Sequence, residues 1–360
     1  MFISADPQWG LMSTADNEKE HLQRAKFVTA LRCAGIPAND YGVKRHYDKW
    51  TVESNGSVRA PEEWKEVKIF RWVNGKQTRF TDAERKRLSF VDVEVTTRIL
   101  DYSLESFMEI QKGLHNIIQT FPLLVPPTAG LHVHVGNQKN RFPLQTILNF
   151  GTLISSFQMF FNELHPLHRL LSEYCTLPQV AFHRKDRHPL DMANVVNACK
   201  TVGEFLQLFT DDHRDPENIN AFIDGFRAYS FSNMMGNTGS NTIEFRQHEG
   251  TLTFDRVARW VNLVIGLTCV SHTVNGNYVF KLVHEHASDE NSNILVLLPK
   301  LYLPKSAEEY KGRLHIHSAD LVFPDLHDDF TEDSVEESEE DVDMEDDEKL
   351  KMYKYIMMFF

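Results

Sequence analysis

The sequence predicts an α+β fold in which a curved, mainly antiparallel sheet is backed by helices. Three short segments, 91–95, 131–135 and 242–248, alternate apolar and polar residues. Alternation with period two is typical of strands that bury one face. Long apolar helical segments lie between and after them, in no regular strand–helix rhythm. This order favours an antiparallel sheet over a parallel one.

Apolar periodicity, caps and breakers place the remaining elements. Ser103 is a candidate N-cap and Pro166 ends the longest apolar helix. The predicted helices cover 17–33, 103–121, 144–164 and 254–273, with shorter ones near 201–209 and 217–226. The further predicted strands cover 48–58, which ends at the Asn55-Gly56 turn, and 68–73, which ends at Asn74-Gly75. Residues 294–299 form a short apolar run, and 314–317 is a candidate strand.

The charge of the chain is unevenly distributed. The chain has 51 acidic and 38 basic residues, a net charge of -13. Fifteen of the acidic residues, and no Lys or Arg, lie between Asp325 and Glu348. The rest of the chain therefore has 36 acidic against 38 basic residues, a net charge of +2. We predict a folded domain over 1–324 and a disordered acidic tail over 325–360, of which 325–348 is dispensable for folding.

Composition excludes several classes of protein. A domain near neutrality lacks the clustered Lys and Arg that nucleic acid requires, and the short run 85–87 is interpreted as a solvated segment. The four cysteines form no Cys-x-x-Cys pair, which argues against a zinc ribbon or a disulfide scaffold and fits a reducing compartment. We find no secretory signal and no run of about 18 apolar residues. We therefore expect a cytoplasmic chain that binds no membrane, and leave the nucleus open.

The polar faces of the three alternating segments carry chemically active side chains. They are Asp92 and Glu94, then His132 and His134, then Glu244, Arg246 and His248. Solvated strand faces ordinarily favour residues such as Thr. If the three strands share a sheet, these side chains converge on a site suited to a divalent cation and an anionic substrate.

Each pair also has a simpler interpretation. His132 and His134 are also compatible with two ordinary hydrogen-bonded histidines, and Glu244 with Arg246 is compatible with a same-face salt bridge. The glycines that flank the first pair, Gly130 and Gly136, indicate turns or close backbone approach and favour a site there. His315 and His317 have the same spacing without carboxylate neighbours, and we interpret them as ordinary histidines.

Two motifs resemble the amidoligase family common in fungi, part of the carboxylate–amine ligase superfamily that includes glutamine synthetase. They are G-L-H-V-H-V-G at 130–136 and T-I-E-F-R-Q-H-E-G-T-L at 242–252, the second followed by a helix with Trp260. Weaker matches lie at 48–58, 91–95, 164–175 and 228–233, and the resemblance covers about 47–273. It implies a glutamine synthetase-like catalytic fold.

The resemblance also implies an activity and residue roles. In that superfamily ATP phosphorylates a carboxylate and an amine displaces the phosphate, so the expected cofactors are ATP with Mg²⁺ or Mn²⁺. The implied metal ligands are His132, Glu244 and Glu94, and the implied phosphate-binding residues are His134 and Arg246. Arg246, Glu94 and His248 are the catalytic candidates. The expected partners are small-molecule or peptide carboxylate and amine substrates, with no nucleic acid and no membrane.

One departure from the family keeps other functions open. The family opens with a Gly-x-Glu-x-Glu strand, and no such strand precedes Trp50. We expect either that an upstream segment is missing or that the chain is a degenerate member. The alternatives are therefore an inactive chain that serves as a binding or interaction module, and a zinc hydrolase that uses His132 and His134.

Overall fold

The computed structural model describes residues 2–4, 16–42, 47–55, 58, 70–73, 76–79, 81, 89–121, 123, 125–137, 140–172, 175, 188–208, 228–234, 241–289, 291–314 and 355–359. Its helices are α1 (Asp16–Cys33), α2 (Leu104–Thr120), α3 (Leu144–Ser156), α4 (Gln158–Asn162), α5 (Leu167–Leu170), α6 (Pro189–Ala198), α7 (Val202–Gln207), α8 (Phe254–Thr273), α9 (Gly276–His286), α10 (Ile294–Lys300) and α11 (Pro304–Tyr310).

The strands of the same residues are β1 (Phe2–Ser4), β2 (Thr51–Glu53), β3 (Phe70–Val73), β4 (Lys76–Arg79), β5 (Ser89–Val91), β6 (Glu94–Thr96), β7 (Gly130–Gly136), β8 (Tyr229–Ser230), β9 (Thr242–Glu249) and β10 (Tyr355–Phe359). The main sheet has the order β2-β6-β10-β7-β9-β8, and each neighbouring pair is antiparallel. Two separate ribbons pair β1 with β5 and β3 with β4. The predicted α+β class is confirmed, with no closed barrel among the described strands.

The main core lies between the β7–β9 pair and helices α3 and α8. The alternate apolar residues of both strands are at most 1% exposed, as predicted; they are Leu131, Val133, Val135, Ile243 and Phe245. The Phe245 ring lies 5.4 Å from Phe150 of α3 and 6.4 Å from Trp260 of α8, both edge to face. Edge-to-face rings at these distances attract beyond their area of burial. This core holds the polar faces of β7 and β9 on the opposite side of the sheet.

A second cluster surrounds Trp50, which is fully buried. Phe27 of α1 stacks on Phe121 at the end of α2, with ring centroids 4.0 Å apart. The Trp50 indole donates a hydrogen bond of 2.7 Å to Glu109, which also pairs with Arg98. Helix α2 thus joins the two clusters, because its earlier residues pack in the main core and its last turn packs here.

Several predicted elements appear with the predicted bounds, and others are divided. The prediction for 254–273 matches α8. The single helix predicted over 144–164 is broken at Phe157 into α3 and α4, since Phe157 leaves the helical conformation at φ -108 and ψ 21. The segment 91–95 is also divided, because β5 pairs with β1 whereas β6 pairs with β2. The apolar run at 294–299 forms α10, capped by Asn293.

Residues 355–359 correct one expectation about the tail. We predicted disorder over 325–360, and the structure inserts β10 between β6 and β7. Five residues of β10 pair with β7, and Phe359 also pairs with Thr96 of β6. Tyr-Ile-Met-Met-Phe has no charge and suits a strand, and two neighbouring strand edges offer main-chain partners. Residues 315–354 lie outside the described residues, as do the predicted features at 85–87 and 217–226, so the division at residue 324 stays a prediction.

The described helices differ from membrane-spanning helices in length and composition. No single helix there is long and apolar enough to cross a membrane. The pair α8 and α9 passes on length and composition only when its members are joined, and the two helices are bent by 118° at their junction.

Two shortened chains separate the contribution of β10 from that of the acidic segment. A chain that ends at Pro324 lacks β10, so both β6 and β7 lose a hydrogen-bonded neighbour. A chain that lacks only 325–348 keeps β10. We expect the first to unfold several degrees below the full chain, since each kcal/mol shifts the midpoint by about 2–4 °C in domains of this order of size. We expect the second to match the full chain in thermal unfolding followed by circular dichroism. Equal midpoints for all three chains would show that β10 does not stabilise the sheet.

Candidate functional site

The polar faces of β7 and β9 meet at one carboxylate oxygen. Oε1 of Glu244 accepts a hydrogen bond of 2.6 Å from Nη1 of Arg246. The same oxygen lies 3.5 Å from Nδ1 of His132 and 3.6 Å from Nε2 of His134. The Glu244 side chain is only 8% exposed, whereas those of Arg246 and His132 keep 15% and 17%. The predicted convergence of these four residues is therefore present, and part of it remains open to a ligand.

The register of the β7–β9 pair explains this arrangement. His134 lies opposite Glu244, and residues opposite each other in antiparallel strands share a face. The pairing then shifts, because Val133 pairs with Phe245 whereas Leu131 pairs with His248. The single residue His132 thus faces two residues of β9. This is a β-bulge, which places one extra residue in a strand and changes where the following side chains point.

The bulge corrects the prediction for His248. Strict alternation puts His248 on the face of Glu244 and Arg246, but the structure places it against the helices. Its ring lies 5.2 Å from Trp260 and 6.1 Å from His165. The preceding residue, Gln247, is fully buried and hydrogen-bonds to Tyr229. The extra residue at the bulge reverses the alternation, so His248 is not part of this site.

The segment that enters β9 orients His134. Its Nδ1 lies 3.2 Å from the amide nitrogen of Asn233 and 3.2 Å from the hydroxyl of Thr242. An amide nitrogen only donates, so Nδ1 accepts and the ring proton lies on Nε2, which faces Glu244. Sequence reasoning did not identify these two supporting residues. Asn233 lies in the segment 228–233, which resembles the family. That resemblance was the only feature of the sequence that indicated a role for Asn233.

The environment keeps His132 neutral. Burial lowers the pKa of His132 well below its usual range, and the positive charges of Arg246 and Arg169 lower it further. His134 contributes in the same direction. Among the described residues, a neutral imidazole beside two guanidinium groups and one carboxylate gives this face an excess of positive charge. The site is therefore suited to an anion.

The third predicted strand lies in the same sheet as the other two, as predicted, but is not next to them. Strand β10 separates Glu94 on β6 from His132 on β7, so two strand spacings, about 10 Å, lie between their backbones. Oε2 of Glu94 accepts a hydrogen bond of 2.6 Å from the side-chain amide of Asn55. Asp92 is held by Arg24 at 2.6 Å and by the main-chain amide of Asn55. These two carboxylates support the local structure around Asn55.

The predicted metal ligands do not form a preassembled cage. Among the residues that the structure describes, no group of three or more His, Cys, Asp or Glu side chains is arranged to hold a metal ion. The reason lies in the contacts above. Arg246 donates a hydrogen bond to the Glu244 oxygen that faces the imidazoles. Strand β10 lies between Glu94 and the two histidines. The set His132, Glu244 and Glu94 therefore does not fit a bound divalent ion, and a zinc hydrolase lacks a third ligand in this part of the chain.

A family model described as "Putative amidoligase enzyme" matches residues 15–268. This range contains β7, β9, their bulge and both motifs that resemble the family. The chain belongs to this amidoligase family. Comparison with curated proteins and comparison with solved structures each gave no match. The glutamine synthetase-like architecture of this amidoligase therefore stays a prediction, whereas its family is established over most of the chain.

The buried His132 of this amidoligase predicts a pH dependence of stability. Its folded pKa lies below its unfolded value, so between pH 7 and pH 5 the unfolded chain gains a proton at this position before the folded chain does. This group therefore makes the free energy of unfolding decrease as the pH decreases. We expect His132→Gln to lose less stability than the wild type over this range, measured by urea unfolding. His284→Gln, at an exposed position on α9, is the control and should follow the wild type. A His132→Gln profile parallel to the wild type would contradict the assignment.

Proposed function

We propose that the chain is an ATP-dependent amidoligase that joins a carboxylate to an amine through an acyl phosphate. The observation that carries the proposal is the placement of Arg246. Its guanidinium is fixed by Glu244 at 2.6 Å, keeps 15% exposure and has two imidazoles beside the same carboxylate. A fixed guanidinium binds phosphoryl and carboxylate groups in a defined orientation. Family membership supports ligation as the reaction class.

The proposed reaction uses this face for charge neutralisation. A substrate carboxylate oxygen attacks the γ-phosphorus of ATP, the bond to ADP breaks, and an acyl phosphate forms. The amine nitrogen then attacks the acyl carbon, the bond to phosphate breaks, inorganic phosphate leaves, and the nitrogen gives up its proton to water. Phosphoryl transfer depends mainly on positioning and on stabilising negative charge, which Arg246 supplies. Neutral His132 accepts a hydrogen bond from the incoming amine.

The proposed partners and location follow from the same chemistry. The substrates are a small-molecule or peptide carboxylate and an amine, because the positively charged face suits an anion. A divalent ion accompanies the nucleotide in this proposal, as Mg²⁺ commonly binds through phosphates with few protein carboxylates. The cysteines Cys33, Cys175, Cys199 and Cys269 are all free thiols. This supports the proposed cytoplasmic location.

A second function has its own support. Glu94 binds Asn55, Glu244 binds Arg246, and the described residues hold no metal-binding group. The described residues thus form an anion-binding face without the carboxylates that two-metal phosphoryl transfer uses. We therefore keep the degenerate member as the alternative, a binding module with the acidic segment 325–348 as a contact surface.

The proposal is tested by replacing Arg246 with methionine, which keeps much of the side-chain volume and removes the charge. We expect the affinity for ATP, with and without Mg²⁺, to fall about tenfold or more in calorimetry, since a charge-assisted contact of 1.4 kcal/mol corresponds to tenfold. Arg98→Met is the matched control. Arg98 also pairs with a glutamate at 2.6 Å, but that glutamate, Glu109, lies on α2 and not in the candidate site. Equal ATP affinities for Arg246→Met and the wild type would rule Arg246 out of the nucleotide site.

Measurement of ADP release separates the two functions. The wild-type chain is incubated with ATP, Mg²⁺, and pooled amino acids and amines. We expect ADP release that requires both a carboxylate and an amine, and a loss of about 10²–10³ in rate for Arg246→Met. ATP binding without ADP release would instead support the binding module. An absence of ATP binding would overturn both the ligase proposal and a nucleotide-binding version of the alternative.

A further inference from the structure

Arg169 is a fully buried guanidinium beside the candidate site. It lies on the short helix α5, after Pro166, and its relative exposure is 1%. Arginine is rarely buried to this extent unless it is paired with a carboxylate. Within the described part of the chain, no carboxylate lies within ion-pair distance of Arg169. Burial lowers the pKa of Arg169 from its usual value, which reflects the same loss of solvent.

The partners of Arg169 are main-chain oxygens at the β-bulge. Its Nη2 donates a hydrogen bond of 2.6 Å to the carbonyl of Arg246, and its Nε reaches the carbonyl of Gln247 at 3.4 Å. Its Nη1 reaches the carbonyl of Ala129, immediately before β7, at 3.4 Å. The thiol of Cys175 also donates to the Arg246 carbonyl, at 3.4 Å. One side chain therefore joins the bulge of β9 to the start of β7.

These contacts satisfy main-chain groups that a bulge leaves without a hydrogen bond to the neighbouring strand. The extra residue of a bulge has main-chain groups without a partner on the neighbouring strand, and buried carbonyls require donors. The carbonyls of Arg246 and Gln247 belong to the two residues that face His132. The main-chain amide of Arg246 is fixed on its other side, where it donates to the carbonyl of Ala228 at 2.8 Å. The peptide groups on both sides of Arg246 are thus held.

The position of Gly130 shows how closely Arg169 approaches β7. A Cβ at Gly130 would lie 2.6 Å from Nη2 of Arg169 and 3.2 Å from Nε2 of His132. The glycine leaves room for both groups beside the backbone. The charge of Arg169 is therefore next to the imidazole of His132 and to the main chain of Arg246, and it adds to the positive charge of that face.

We propose that Arg169 is the positioning residue for Arg246. It clamps the bulge through two carbonyl groups, those of Arg246 and Gln247, and joins them to a third, that of Ala129. The clamped bulge directs the Arg246 side chain to the anion-binding face while Gln247 and His248 turn to the helices. The inference rests on the proposed function, in which Arg246 binds an anion. Lysine at position 169 keeps the charge but carries its three donors on one nitrogen, so it lacks the planar fork with which Nε, Nη1 and Nη2 of Arg169 each reach a separate carbonyl.

A double-mutant cycle tests this inference with inorganic pyrophosphate as the anion. We expect Arg169→Lys and Arg246→Met each to weaken pyrophosphate binding, the former by about tenfold, within the range for directly coupled residues. Because Arg169 acts through Arg246, the double variant should bind no more weakly than Arg246→Met alone. Independent, additive losses would overturn the proposal. Affinities are measured by calorimetry on the full chain, with thermal unfolding to confirm that each variant folds.

Hydrogen exchange provides a readout that does not depend on ligand binding. In Arg169→Lys we expect the main-chain amides of Gln247 and His248 to exchange at least about tenfold faster, as local opening becomes easier, whereas Arg246→Met leaves them unchanged. If Arg169→Lys does not fold, Cys175→Ala removes the other donor to the Arg246 carbonyl and should show a smaller change of the same kind. Unchanged exchange in these variants would overturn the clamp. If the wild type binds no anion, the proposed function fails, and the exchange result alone decides the role of Arg169.

Discussion

The antiparallel pairing of β7 with β9, interrupted by one bulge, is the constraint on which the rest of the molecule depends. The register His134 to Glu244 places two imidazoles and a carboxylate on one face, while Val133 to Phe245 places apolar residues on the other. A slip of one residue would exchange these faces and expose the core. The aromatic contacts of Phe245 with Phe150 and Trp260 fix the register from the helical side. The core and the candidate site are therefore two consequences of one pairing.

The same pairing determines the electrostatics of the site. One buried carboxylate, Glu244, stands among a paired guanidinium, two imidazoles and the second guanidinium of Arg169. Burying several cationic groups costs free energy unless they are compensated, and main-chain carbonyls provide part of that compensation at the bulge. An anionic ligand would provide the rest. The fold therefore favours phosphoryl or carboxylate binding without a preassembled metal cage.

Much of the fold and about half of the candidate site could be predicted from sequence periodicity. Alternation identified the buried faces of β7 and β9, and the apolar pattern gave α8 its bounds. Period-two reasoning could not locate the bulge, so it placed His248 on the wrong face. It also could not show that β10 enters between β6 and β7, because that insertion joins residues more than 200 positions apart. Arg169 was missed as a clamp, since its partners are main-chain carbonyls that have no signature in the sequence.

The central claim is that His132 and His134 share an anion-binding face from which His248 is excluded. Nitrogen-15 NMR of the histidine side chains tests it most directly, with resonances assigned through single His→Gln variants. On addition of ATP we expect the ring nitrogens of His132 and His134 to shift, and those of His248 and His165 to stay unchanged against Trp260. Shifts at His248 without shifts at His132 and His134 would contradict the account.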